Sequence, residues 1–392
     1  MRVVHVNTND RGGAATAIIR IHMALLSLNV DSHILFLNNT GKQIPNSQYF
    51  KNPKPGILQR IIGKIRRTVQ TSAQKIRDSH EDIEWFTDPC TPFDISTHPL
   101  IQSADLVQLN WVSGFVDEPS FFRNVEVPIV WRMPDLYACG GGYHYEKDFP
   151  FERLKKRLAR NSGIRKAALA NGSVHFVAIS NWVRDRAQHS NIIGDRPIHV
   201  IHNGLDFSTI PAIDRNQAKR EFGFSPDKKI VLLGADRVHV RRKGLKQAIE
   251  AVEMLNDPKV QLVVFGTYRG ENVPGALQMG HLDSGELFRL YTAAHIFLMP
   301  SLEEAFGQVF IEALACGTPV VSFPNGGAMD IIIPNKNGVM ARSFESTDLA
   351  EALKVALDTN FDHQWISRDA RQRFDGLEKA KAYIKLYEEL KT

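Results

Sequence analysis

Cysteine is scarce in this chain. Its 392 residues contain three, Cys90, Cys139 and Cys316, and no two of them share a CxxC spacing. An odd, scattered set supplies neither a disulfide framework nor a thiolate metal cluster, and it points to a reducing compartment. No apolar run approaches the ~20 residues needed to span a bilayer. The opening MRVVHVNTNDRGG reads as a strand and a turn, without the apolar core of a signal peptide, so a cytoplasmic location is expected. Short-period repeats and low-complexity tracts are missing too. Neither sign of charge dominates: 48 Lys and Arg against 43 Asp and Glu leave a net charge of +5. That mild excess suits an anionic ligand or an anionic membrane surface, although enzymes with neutral substrates share it. The basic residues are not interleaved with aromatics and no nucleic-acid module is recognisable, so no nucleic-acid partner is expected.

What is present is an ordinary globular composition, 43% hydrophobic and 23% charged. The length exceeds one ordinary core and predicts two domains of roughly 150–200 residues. Apolar runs of strand length recur at 2–7, 32–38, 105–111, 128–133, 175–180 and 199–203, then at 229–235, 260–266, 295–301 and 318–323. Rich in Val and Ile and apolar on both faces, they suit parallel strands buried between helices. Between them Ile18, Ile21, Leu25 and Leu28 follow helical spacing, as do Leu245, Ala248, Ile249, Val252 and Leu255. The reading is α/β, with two Rossmann-like doubly wound domains facing across a cleft. The first spans 1–205 and the second 206–375, and a C-terminal helix, 376–392, is expected to return to the first.

Parallel sheets bind ligands beyond the carboxyl ends of their strands, and the informative motifs all lie on such loops. After the first strand, Gly12 and Gly13 open a helix, either to let a ligand approach or simply to make a tight turn. ADRVHVRRKG places Arg237, Arg241, Arg242 and Lys243 just before a helix N-terminus. Cations there oppose the helix dipole, so an arriving diphosphate would relieve them; the plain alternative is a solvated basic loop. In PSLEEAFGQVFIEALACGTPVV, Glu304 precedes a helix over about 308–315 and Glu312 lies about one turn inside it, with Gly317 at the C-cap. The amides of Phe306, Gly307 and Gln308 are expected to face the cleft. Two carboxylates so spaced hold different parts of one long polar ligand, since sugars and riboses both offer vicinal hydroxyls. The otherwise apolar VFIEALA gives Glu312 a buried setting that demands a partner. FPNGGAMD repeats the strand, glycine turn and helix start at Gly326 and Gly327.

The spaced glutamates Glu304 and Glu312 resemble those of family-four glycosyltransferases, retaining enzymes with the two-domain GT-B fold. The resemblance extends over the chain through GG after the first strand, SNW (180–182), IHNGLD (201–206), RKG (242–244), LYTAAHIFLMPS (290–301), NGG (325–327) and the terminal YIKLYEEL. It implies that Glu304 contacts donor-sugar hydroxyls and Glu312 the ribose, while Arg237 and Lys243 hold the departing diphosphate, with Arg241 or Arg242 as substitutes for Arg237. Phe306, Gly307, Gln308, Val309, Arg242, Gly326 and Gly327 complete the donor-binding set, and Gly12 and Gly13 meet phosphate or acceptor. No metal and no cofactor are implied, because cations and helix ends replace a metal. The expected reaction moves a sugar with retention from a UDP- or GDP-sugar to a polysaccharide or lipid-linked saccharide, in cell-surface glycan or lipopolysaccharide biosynthesis. A nucleotide-sugar epimerase of the same fold and a non-catalytic nucleotide-sugar-binding homologue are the alternatives.

One departure stands out. Relatives carry a His-Asp dipeptide before a glycine-rich stretch, whereas WRMPDLYACGGGYHY has Pro134 and then Asp135, and Asn110 occupies another histidine position. Asp135, Arg132 and His144 are candidates to cover the missing role, Asp135 foremost as a catalytic group. The segment 51–77 contains eight Lys or Arg and no acid, with Ile57, Leu58, Ile61, Ile62, Ile65, Val69 and Ile76 at helical spacing. It reads either as a helix docking on the cytoplasmic face of the inner membrane or as one packed on the first sheet.

Overall fold

A computed structural model describes residues 1–51, 84–267 and 272–391. The basic segment 51–77, apart from its first residue, lies outside the described residues. The chain forms two compact units, Met1–His202 with Leu377–Thr392, and Asn203–Gly376. The boundaries differ by a few residues at most from those read off the sequence.

The first unit holds seven parallel strands: β1 (Arg2–Asn7), β2 (Asp31–Phe36), β3 (Ser47–Tyr49), β4 (Leu106–Leu109), β5 (Ile129–Met133), β6 (Val174–Ala178) and β7 (Ile198–Val200). Their order is β3-β2-β1-β4-β5-β6-β7. The central β1 pairs with β2 and β4 along nearly its whole length, and Val3, Val4 and Val6 are fully buried. Burial on both faces is the reason the strand reads as a continuous apolar run. Helix Gly376–Lys391 sets Ala380, Tyr383, Leu386 and Tyr387 into the same core as Val3, Ile18, Ile21 and Leu25. Its Tyr387 hydroxyl donates to the side-chain oxygen of Gln108 on β4, so the last helix belongs to the first unit by packing and by a buried hydrogen bond.

The second unit has β8 (Lys229–Gly234), β9 (Val260–Phe265), β10 (Ala276–Gly280), β11 (Ile296–Leu298), β12 (Val320–Ser322) and β13 (Gly338–Met340), all parallel, in the order β10-β9-β8-β11-β12-β13. Every strand expected from the sequence is found. Three further strands, β3, β10 and β13, are edge strands, whose half-exposed, mixed composition hides them from an apolar-run criterion. Both units are therefore the expected parallel α/β sheets, and the loops after β8, β11 and β12 leave the same end of the second sheet.

Candidate functional site

Three loops of the second unit converge. After β8 the chain makes a single turn over Arg241–Lys243 and enters helix Leu245–Leu255 through Gly244, whose φ is +72°. A Cβ there would stand 2.0 Å from the Pro300 carbonyl oxygen, so only glycine lets this loop approach the end of β11 so closely. Leu302 N then donates to the Arg242 carbonyl at 2.7 Å, and the Arg242 guanidinium donates back to the Glu303 carbonyl at 2.8 Å. The loop after β12 closes from the other side. Asn325 donates its amide to the Ser301 carbonyl, Gly327 N donates to the Glu304 carbonyl at 3.0 Å, and a Cβ on Gly326 would lie 1.8 Å from that same oxygen.

Glu304 stands where these loops meet. Lys243 Nζ donates to its Oε2 at 2.6 Å, Ser301 Oγ approaches the same oxygen at 3.4 Å, and Arg242 Nη1 stands 3.8 Å away. Glu304 and Arg242 are each 10% exposed and Lys243 16%, enough to be reached and little enough for their charges to act strongly. Helix Gln308–Ala315 begins immediately after, with Gly307 as its N-cap and Gln308 and Val309 partly exposed in its first turn. Phe306 contributes backbone only, because its ring is buried against Phe374. Glu312 is on the same helix, 8% exposed, with the Tyr291 hydroxyl donating to it at 3.4 Å. That hydroxyl is a partner of the kind its apolar neighbours required. Thus Glu304, Lys243, Arg242, Gly326 and Gly327 are gathered around one point, with Gly307, Gln308, Val309 and Glu312 on the helix leaving it. Arg241 is exposed and Arg237 half-buried on the stretch before the turn. Ser301, Tyr291 and Asn325 join the set; the motifs LYTAAHIFLMPS and NGG contain them, but no role is read for them from the sequence.

The first unit uses its candidates differently. Gly12 caps helix Gly13–Ser27, and space is open around Gly13, where an added Cβ would meet nothing within 4 Å. Asp135 is 4% exposed and its carboxylate is engaged: Tyr137 N donates at 2.9 Å, Trp111 Nε1 at 3.1 Å and His144 Nδ1 at 2.7 Å. The acceptor carboxylate of Asp135 places a proton on Nδ1, and the other ring nitrogen of His144 faces Thr87 Oγ1 at 3.0 Å. Asp135, expected as a catalytic group, is thus engaged at three of its about four acceptor positions. Buried in the core, it positions Trp111 and His144. Asn110 is also structural, its amide donating to the Gln108 carbonyl at 3.2 Å. Arg132 is wholly buried beside Tyr383 and Tyr387, where desolvation lowers its pKa against the pull of the Tyr383 oxygen.

Residues 214–373, nearly the whole second unit, match the family described as glycosyl transferases group 1. Among curated relatives, a D-inositol 3-phosphate glycosyltransferase of Pseudarthrobacter chlorophenolicus is 26% identical over 63% of this chain and 61% of its own. One of Nocardia farcinica is 26% identical over 89% of this chain and 78% of its own. The chain spans 38% to 61% of the length of the first three curated relatives. Among solved structures, sucrose-phosphate synthase from Thermosynechococcus elongatus superposes with a TM-score of 0.72 at 17% identity over 100% of this chain and 99% of its own. Anabaena HepE in complex with UDP-glucose gives 0.70 at 17% identity over 99% and 100%. The second unit thus matches the glycosyl transferases group 1 family in sequence, and the chain along its whole length has the GT-B fold of these structures.

Proposed function

We propose that this chain is a retaining glycosyltransferase that moves a sugar from a nucleoside-diphosphate donor, UDP-linked in preference to GDP-linked, to a saccharide acceptor. The observation that carries the reading is the Lys243–Glu304 pair at 2.6 Å with Arg242 alongside, held by loops that follow β8, β11 and β12. An ammonium has three N–H donors, so Lys243 keeps Glu304 while it offers the others to phosphate. Arg242 adds a planar fork suited to a diphosphate, and Arg237 precedes it on the same loop. Glu304 then accepts from donor-sugar hydroxyls and Glu312 from the ribose, with the start of helix Gln308–Ala315 near the phosphates. In the transfer, an acceptor hydroxyl oxygen bonds to the anomeric carbon as the bond from that carbon to the diphosphate oxygen breaks. The hydroxyl proton passes to the departing phosphate on the same face, which accounts for retention. Negative charge grows on the leaving group during this step, and cations already in place stabilise it without reorganising. Metal chelation is accordingly expected to leave the rate unchanged. HepE, solved with UDP-glucose, supports a uridine nucleotide. D-Inositol 3-phosphate, which the names of the curated relatives carry, is one acceptor to weigh.

Thermal-shift titrations with UDP, GDP and ADP at about 1 mM test the donor site. UDP is expected to stabilise the protein, and Glu312→Ala to weaken its binding about tenfold. No stabilisation by any of the three would remove the donor reading. Conversion of a donor sugar to its epimer without any acceptor would replace transfer by epimerisation.

A further inference from the structure

The first unit contains a cavity of about 280 Å³ at the carboxyl ends of β1, β2 and β4. That is close to the lower end of small-molecule sites, about 300 Å³, and suits one ring rather than an extended chain. Its walls include Thr8 and Asn38 from the loops after β1 and β2, Trp111 and Ser113 from the loop after β4, and Trp85 and Asp88 from the segment before the first helix of that region.

These walls are locked. Thr8 N donates to the Trp111 carbonyl at 2.8 Å, Leu37 N and Asn38 N both donate to the Thr8 carbonyl, and Thr8 Oγ1 donates to the Ser113 carbonyl at 3.0 Å. Asn38 Nδ2 donates to Asn9 Oδ1 at 2.6 Å. The half-buried rings of Trp85 and Trp111 meet edge to face, with centroids 5.1 Å apart and planes at 78°. Trp111 is held in orientation by Asp135, as described above.

The charge is cancelled where it occurs. Asp88, 2% exposed, receives Arg157 through two hydrogen bonds of 2.7 and 2.6 Å and Asn161 through one of 2.9 Å. The rest of the described wall is amide, hydroxyl and indole, with the apolar Leu37 and Phe86 and the thiol of Cys90, and it includes no lysine or arginine. A phosphate dianion would be stripped of water beside a carboxylate whose own cation is already spent. An uncharged sugar ring, in contrast, lays its C–H face on an indole and directs its hydroxyls at Thr8, Asn38 and Ser113.

We infer that this cavity holds the terminal ring of an uncharged saccharide, so the acceptor is a neutral glycan end rather than an inositol phosphate. Calling that ring the acceptor rests on the proposed transfer; its binding in the cavity does not.

Ligand-observed NMR on the full chain, with methyl glucoside, galactoside and mannoside against D-inositol 3-phosphate, tests the inference. At least one glycoside is expected to bind, more tightly than the inositol phosphate. Trp85→Ala should weaken it about tenfold and the exposed Asn38→Ala severalfold, while both variants keep the affinity of the wild type for UDP. Absence of glycoside binding at about 50 mM alongside normal UDP binding overturns the inference and spares the donor reading. Tighter binding of the inositol phosphate, or glycoside binding indifferent to both substitutions, overturns it as well. Glycoside binding that depends on Trp85 in a protein that ignores every nucleotide would uphold the cavity and overturn the donor reading.

Discussion

Glu304 in the second unit and Glu118 in the first are both carboxylates paired with a basic side chain at 2.6–2.7 Å, yet their surroundings differ. Glu118 and Arg165 are wholly buried; the guanidinium also donates to the carbonyls of Tyr137 and Gly140 and lies 4.2 Å from the Tyr137 ring centroid. Each of its three nitrogens meets a fixed partner of the protein, which ties helix Phe151–Leu169 to the loop carrying Asp135. Glu304, Lys243 and Arg242 retain some exposure, and their donors are shared with backbone carbonyls at a loop crossing. The same chemical pair is a fastener where it is sealed; where it is partly open, as at Glu304, it is the pair proposed to meet a ligand. The first unit pairs these charges inside the core, whereas the second leaves Lys243 and Arg242 partly exposed beside Glu304.

Breaking the sealed pair should have the largest effect on stability. Glu118→Ala leaves Arg165 buried without its counter-charge and is expected to cost about 3–5 kcal/mol, read as a shifted midpoint in denaturant unfolding. Breaking the open pair should instead cost function. Lys243→Ala is expected to lower the transfer rate about 10²–10³-fold while stability changes by no more than about 1 kcal/mol, checked by kinetics and melting on one preparation. A Cβ on Gly327 would meet the Phe306 carbonyl oxygen at 2.2 Å, so Gly327→Ala is expected to cost about 1–3 kcal/mol and to weaken UDP binding by displacing the Glu304 loop. Gly13→Ala, with open space before it, is the matched control for stability in the other unit.

The smallest effect concerns pH. Burial, helped by neighbouring His22, Arg132 and His33, holds the pKa of His5 well below the ordinary 6.5, and burial also lowers that of His22. Both rings face Ser32, and His22 additionally faces the Pro45 carbonyl. Above pH 6.5 the rings are neutral in folded and unfolded chains alike. Below it the unfolded chain takes up protons that the folded core refuses, so stability falls with pH by at most about 1.4 kcal/mol per unit for each ring. A melting temperature that declines from pH 7 to 5, with a shallower decline in His5→Gln, checks this; parallel slopes would assign the loss elsewhere.

The central strands were legible because residues such as Val3, Val4 and Val6 are buried on both faces and leave no polar interruption. β3, β10 and β13 were not, since an edge strand need not be apolar on its open side. Glu304, Glu312, Lys243 and the glycines after β12 were legible as motifs on post-strand loops, and the structure brings most of them to one place. The contacts between these loops were not legible. That Arg242 rather than Arg241 turns to Glu304 depends on how one turn is folded, and both side chains are identical in chemistry. The partners of Asp135 were not legible for a related reason: Trp111, Tyr137 and His144, up to 24 residues away in the chain, converge on its carboxylate only in the folded core.

By itself, the order of residues determined the parallel α/β class, the two-unit division and the loops on which the site stands. Periodicity and turn chemistry are local, and local patterns survive in a linear text. Only the tertiary structure decided which buried charges are spent on the fold, which stay open to a ligand, and that Trp85 and Trp111 share one wall. Desolvation and pairing depend on neighbours contributed by distant segments, and no spacing in the sequence encodes them.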